Sequence, residues 1–164
     1  MTTILLPIAG RAQRFVDKGY KIPKPLIHVN GTPMIKLAVD CLELSSDTKL
    51  VFIVLKEHDI NFDIKDSIRS LFPSFSVDFV ELEGVTQGTL CSCLAAKEYI
   101  NNDDKLIIYT PDVCFNTPQN VIKEFENSDA DGHVVTFKAN SIDHSYATHE
   151  NGYVTATAEK QVIS

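Results

Sequence analysis

"TTILLPIAGRAQRFVDKGYKIPKP", residues 2–25, joins an apolar run to a strongly cationic segment. Beyond its two threonines, Thr2 to Ile8 is wholly apolar, the composition of a strand buried on both faces of a parallel sheet. Gly10 then permits a sharp turn that brings backbone N–H groups close to an anion. Arg11, Arg14, Lys18, Lys21 and Lys24 follow, opposed only by Asp17, so residues 11–24 carry +4 in a chain whose formal net charge is −7. The other residues therefore hold −11. A compact cationic loop on an acidic protein suits a small polyanion; nucleic acid and anionic membrane surfaces would be repelled over most of the molecule.

Apolar runs and amphipathic stretches alternate along the rest of the chain, which predicts an α/β fold with a mainly parallel, Rossmann-like sheet flanked by helices. Buried strands are expected at Leu50–Leu55 and Lys105–Thr110, with a shorter alternating strand at Ser76–Leu82. Helices are expected at Pro33–Leu44, where Pro33 suits the first helical position, at Asn61–Leu71 before Pro73, at Thr89–Ile100 and at Pro118–Asn127. A strand over His133–Ala139 and an alternating segment over Gly152–Lys160 follow. Residues 1–164 amount to one domain and are read as such. The chain stops within what reads as continuing structure, which predicts C-terminal truncation. With no cationic leader and no apolar run of bilayer length, a cytoplasmic protein is expected. The four cysteines, Cys41, Cys91, Cys93 and Cys114, read as reduced, buried small hydrophobes.

Ligands of open α/β sheets bind outside the carboxyl ends of the strands, where strand order reverses. Two stretches fall at such ends: the cationic loop, and Pro111-Asp112-Val113. The loop matches neither G-x-G-x-x-G nor G-x-x-x-x-G-K-[ST]. Arg14 can fork across two phosphate oxygens, and Lys24 supplies a point charge between Pro23 and Pro25, which stiffen the backbone. Singly, each is an ordinary surface cation; as a set behind a buried strand they read as a triphosphate site. Asp112 suits a turn, and it also suits Mg²⁺, which takes one or two protein oxygens and leaves the rest to phosphates and water. The five histidines form no ligand cluster, and His144 and His149 read as surface residues.

Together these stretches resemble the sugar-nucleotidyltransferase family, the nucleotide-sugar pyrophosphorylases, in its short bacterial branch linked to capsule and surface-polysaccharide synthesis. The likeness spans essentially the whole chain. "PIAGRAQRFVDKGYKIPKPLIHVNGTPMI" (7–35) looks like the family's strand, A-G-x-G-[ST]-R-[FL], spacer, K-P-L and G-x-P-M-[IL]. "TQGTLCSCLAAKEYI" (86–100) is similar to its E-G-T-A helix start, "YTPDV" (109–113) takes the place of its acidic metal turn, and "SYATHENGYVTATAEKQVIS" (145–164) looks like the segment ending in an E-K pair. The resemblance implies transfer of a nucleoside monophosphate from an NTP to a phosphorylated acceptor, a sugar phosphate or similar, with release of pyrophosphate and Mg²⁺ as cofactor. It implies that Ala9, Gly10 and Arg11 lie at the nucleotide, that Arg14 binds the β- and γ-phosphates, and that Lys24 binds the α-phosphate, the last two being catalytic. It further implies that Gln87 and Gly88 border the base, Asp112 holds the metal, Glu159 bonds acceptor hydroxyls and Lys160 meets the acceptor phosphate. The partners implied are an NTP and a phosphorylated small molecule, without nucleic acid or membrane; a homo-oligomer stays open.

This chain departs from the family pattern at Ala12, which replaces the second loop glycine, and at Gln13, which replaces a small hydroxyl residue. The family's second metal carboxylate falls beyond Ser164. Two other readings compete. One is a nucleotide-binding regulatory or assembly subunit without turnover. The other is a glycosyltransferase that consumes a nucleotide sugar; such enzymes normally hold their metal with D-x-D, where this chain has Pro111-Asp112-Val113.

Overall fold

The apolar opening run forms β1 (Thr2–Pro7), with Ile4, Leu5 and Leu6 fully buried, in a computed structural model that describes residues 1–114 and 118–163. A one-turn helix, α1 (Gln13–Val16), precedes a small hairpin of β2 (His28–Val29) and β3 (Thr32–Pro33). Asn30 and Gly31 close that hairpin with φ of 51° and 85°, the paired positive values of a type I′ turn. α2 (Met34–Asp40) leads to β4 (Lys49–Leu55), α3 (Lys56–Phe62) and α4 (Ile64–Leu71) to β5 (Ser76–Leu82), and α5 (Thr89–Ala95) and α6 (Lys97–Ile100) to β6 (Lys105–Ile108). β1, β4, β5 and β6 make one parallel sheet in the order β5-β4-β1-β6. The chain lays β4 and β5 on one side of β1 and returns to add β6 on the other. Strand order therefore reverses between β1 and β6, and the expected Rossmann-like α/β architecture is present.

The two-residue period of a strand sorts the core onto both faces of this sheet. Ile4, Leu6 and Ile8, with Leu50, Phe52 and Val54, pack against Ile35, Ala38 and Val39 of α2 and Ile64 and Ile68 of α4. Leu5 and Ala9, with Val51, Ile53 and Leu55, pack against Cys93 of α5 and Ala96 beside it. Covering both faces is what requires the two central strands, β1 and β4, to be apolar along their buried runs. Phe52 is fully buried and stacks between Phe72 and Phe79, with ring centroids 5.9 and 5.7 Å away.

The structure corrects the sequence pattern where the backbone leaves helical space. The helix expected over Asn61–Leu71 belongs to two helices, α3 and α4, because Asp63 takes φ 48° and ψ 44°. Aspartate tolerates that left-handed region better than most residues. Asp59 secures the break, accepting the Lys65 backbone N–H at 3.1 Å and pairing with Lys65 Nζ at 2.8 Å. The helix expected over Thr89–Ile100 divides at Ala96 (φ −87°, ψ 14°). The one expected over Pro33–Leu44 shortens to Met34–Asp40, because Pro33 still pairs with His28. His133–Ala139 forms no strand: Val134, Val135 and Phe137 stand exposed, with no ladder to satisfy the backbone. Of the cysteines, all free, only Cys93 is buried; Cys41 is half-buried, and Cys91 and Cys114 are exposed.

Asn120–Ser164 forms a second compact unit, Met1–Gln119 being the first. The second unit takes in most of α7 (Pro118–Glu126) and an antiparallel hairpin of β7 (Tyr146–Glu150) and β8 (Tyr153–Ala158), with a register shift at Thr148/His149. The alternating segment expected at Gly152–Lys160 is largely β8; β7 lay outside the expectation. Asn151 and Gly152, at φ 51° and 85°, close the hairpin in the same way as Asn30 and Gly31. Tyr146 is buried, and its Oη donates to Ser141 O at 3.0 Å.

Candidate active site

At the carboxyl ends of the central strands, Ile8 N–H still donates to Ile53 O at 3.0 Å, and Tyr109 N–H donates to Leu5 O at 2.9 Å. Past these last rungs, where strand order reverses, opens a hollow of about 220 Å³ lined by Pro7, Ile8, Gly10, Ala12, Lys24, Pro25, Thr110, Pro111 and Asp112. Lys24 and Asp112, 88 residues apart in the chain, meet there with Nζ 2.7 Å from Oδ2. Pro23 and Pro25 are buried and hold Lys24 at the start of a 3₁₀ turn, closed by Leu26 N–H donating to Pro23 O at 2.9 Å. The freedom left to Lys24 is therefore mostly that of its side chain. Its ammonium also lies 5.6 Å from the centroid of Phe15, which meets Tyr20 edge-on.

Asp112 sits on a turn whose N–H donates to Thr110 O at 2.9 Å. Tyr109, at the base of this turn, is buried; its Oη lies 3.2 Å from Ala38 O on α2, bonds Val113 O, and is 3.5 Å from Cys41 Sγ. Burial first, and the Cys41 contact second, push the phenol's pKa up. Tyr109 is thus a neutral donor that ties the acid-bearing turn to α2. Sequence reasoning missed it, because its partners are backbone carbonyls that no side-chain pattern announces.

The loop between them has two informative backbone positions. A Cβ built on Gly10 meets no protein atom within 4 Å, so packing does not demand glycine; the open space beside it is that of the hollow it lines. Ala12 takes φ 49° and ψ 45° and caps α1, accepting Phe15 N–H at 2.8 Å. That left-handed conformation is free to glycine and costs an L-residue energy. The position where the resembling family carries its second loop glycine is therefore one that physically favours glycine here.

The remaining sequence candidates lie elsewhere. Ala9 is buried beneath the loop on the α5 face of the sheet. Arg11 turns to the first turn of α3, where its Nε donates to Glu57 Oε1 at 3.1 Å. Arg14 stands exposed on α1 outside the lining of the hollow, and among the described residues it has no ion pair or hydrogen bond. Gln87 and Gly88 are exposed ahead of α5, with Thr86 Oγ1 donating to Gly88 O at 2.9 Å. Glu159 and Lys160 belong to the second unit, where they pair at 3.6 Å; a hydrogen bond from Ser145 holds the Glu159 carboxyl below the usual range. So Gly10, Lys24 and Asp112 share one hollow, and Arg11 is tied to Glu57. A larger hollow of about 540 Å³ in the second unit is lined by Lys123, Glu124, Asn127, Ser128 and His133. It has neither strand end nor glycine loop, so size does not select the site.

The model of the MobA-like NTP transferase domain matches residues 4–157. The chain belongs to this family. No curated protein sequence matches it. As an NTP transferase domain it shares its fold with solved structures of low identity. One is the nucleoside-diphosphate-sugar pyrophosphorylase from Vibrio cholerae RC9, at 23% identity and TM-score 0.74, with 98% of this chain and 68% of that one covered. Another is the inositol-1-phosphate CTP transferase from T. maritima, at 15% and 0.78, with 100% and 66% covered. HddC from Yersinia pseudotuberculosis complexed with GMP-PN matches at 20% and 0.73, with 97% and 69% covered. The chain thus spans about two thirds of the length of these structures. Among the described residues, no helix is long and apolar enough to cross a membrane.

Proposed function

We propose that this NTP transferase domain moves a nucleoside monophosphate from an NTP to a phosphorylated small molecule and releases pyrophosphate, supplying precursors of a surface polysaccharide. One observation carries the reading: Lys24 and Asp112 meet at 2.7 Å in a hollow lined by Gly10, where strand order reverses. The acceptor class is a sugar phosphate or phosphorylated polyol, in keeping with the inositol-1-phosphate CTP transferase that shares the fold. In this reaction an acceptor phosphate oxygen attacks the α-phosphorus, and the α,β-bridging P–O bond breaks in line as pyrophosphate leaves. The acceptor phosphate is ionised at neutral pH, so the attacking oxygen has no proton to lose and no general base is required.

Lys24 donates to the α-phosphate oxygens as charge develops on them, and Gly10 lets the backbone approach the nucleotide; the β- and γ-phosphate role of Arg14, exposed outside the lining of the hollow, rests on the family resemblance alone. Gln87 and Gly88 border the base. The acceptor roles of Glu159 and Lys160 rest on the family resemblance alone. Asp112 fits a Mg²⁺ ligand, being the one carboxylate on the hollow among the described residues, since Mg²⁺ asks for one or two protein oxygens when phosphates and water supply the remainder. When bound, that ion would neutralise charge on the phosphate oxygens.

The test is pyrophosphate release from a panel of NTPs and sugar phosphates. Asp112→Asn and Lys24→Met should each lower turnover about a hundredfold, equivalent to about 3 kcal/mol of barrier, with folding intact. Unchanged turnover in both variants refutes the assignment. Nucleotide binding without turnover is a second reading, favoured by the engagement of Asp112, the candidate metal ligand, with the Lys24 ammonium at 2.7 Å. Calorimetric NTP binding with no pyrophosphate from any acceptor would select it.

A further inference from the structure

The ammonium of Lys24 already rests on the carboxylate that a divalent cation would use. Among the described residues, Asp112 is the only carboxylate lining the hollow, and no group of three or more acidic, histidine or cysteine ligands could hold a metal ion. A small divalent cation gives up water reluctantly and needs several oxygens in near-octahedral array. With one carboxylate oxygen engaged by an ammonium, it would gain a single protein ligand and face a positive charge beside it. A polyphosphate changes both conditions at once: it brings anionic oxygens to complete the coordination shell, and it offers Lys24 a second anion. The backbone around Lys24 is held by two buried prolines, so the exchange needs only a side-chain swing. Before the exchange the ammonium lies over the Phe15 ring, 5.6 Å from its centroid.

Building on the reading of this hollow as the nucleotide site, we propose that Lys24 is the resident counter-ion of Asp112, and that the cation site opens only when a nucleotide polyphosphate draws Lys24 away. Cation and nucleotide then bind as one unit, and the empty protein is protected from taking up a stray divalent ion at Asp112.

The experiment measures Mn²⁺ binding by calorimetry and by loss of the free-ion electron paramagnetic resonance signal. It uses wild type, Lys24→Met, Lys24→Gln and Asp112→Asn, each alone and with each of the four common NTPs but no acceptor. Wild type should bind Mn²⁺ alone at least about tenfold more weakly than with its preferred NTP, and both Lys24 variants should tighten nucleotide-free Mn²⁺ binding about tenfold. Asp112→Asn should lose the site under all conditions. Equal nucleotide-free affinities in wild type and both Lys24 variants overturn the counter-ion role, whether or not nucleotides bind. If the Lys24 variants gain Mn²⁺ affinity while no NTP binds any form, the counter-ion stands, and the nucleotide reading and the coupling built on it are overturned.

Discussion

Replacing Ala12 with glycine tests the loop conformation without touching a charged group. Ala12 sits at φ 49°, ψ 45°, a region that costs an L-residue about 1–2 kcal/mol. Glycine removes that strain in the folded state. It also gives the unfolded chain more freedom, which costs about 0.4–1 kcal/mol of stability. The difference leaves Ala12→Gly between neutral and about 1.6 kcal/mol more stable, a rise of roughly 2–4 °C in Tm per kcal/mol for a chain of this size. Ala38→Gly, inside α2 and buried, supplies the contrast: there the same chemical change should destabilise by about 1 kcal/mol. Urea unfolding followed by circular dichroism compares the two. Should Ala12→Gly destabilise by as much as Ala38→Gly, residue 12 is not left-handed and the account of the loop is wrong.

Gly10→Ala should leave the melting temperature of the empty protein nearly unchanged, because a Cβ there meets no protein atom within 4 Å, yet weaken the thermal stabilisation given by NTP with Mg²⁺. Tyr109→Phe should cost about 1 kcal/mol of stability and lower pyrophosphate release, mostly through turnover, since the phenol ties the Asp112 turn to α2. His58 is buried, with its Nδ1 unpartnered among the described residues; burial lowers its pKa below 6.5, Glu57 opposing and Arg11 adding to the shift. The unfolded chain therefore takes up the proton first, and stability should fall as pH drops below about 6.5 toward the folded pKa. A plot of unfolding free energy against pH over about 5–7 should be flatter for His58→Leu; an identical slope would remove His58 from the explanation.

The central strands were legible because parallel strands covered on both faces must be apolar at every position, and "TILLPI" and "LVFIVL" meet that demand. β7 was not, because "YATHE" is polar enough to pass for a loop; the Asn151-Gly152 pair was the available signal, and Asn30-Gly31 carried the same signal for the first hairpin, which also lay outside the expectation. "HVVTFKA" misled in the opposite direction, since β-branched residues make a strand only where a neighbouring strand takes their hydrogen bonds. Single left-handed residues such as Asp63 divide a helix without altering its apolar spacing, so periodicity ran through the break. For the site, chain order told which residues stand at strand ends, and so drew attention to Gly10, Lys24 and Asp112. It could not tell that Arg11 finds Glu57, 46 residues on, because a surface cation's partner depends on the three-dimensional course of the loop.

β6 ends the strand order of the first unit, with β1 as its ladder partner, and Ile108 on it is 50% exposed. A terminal strand that carries an exposed apolar side chain is adhesive toward an extended segment. Mutual repulsion between copies with a formal charge of −7 opposes such a contact. Added salt shortens the reach of that repulsion and leaves Ile108 as exposed as before, so the protein should tolerate crowding best in dilute buffer and begin to self-associate as ionic strength climbs.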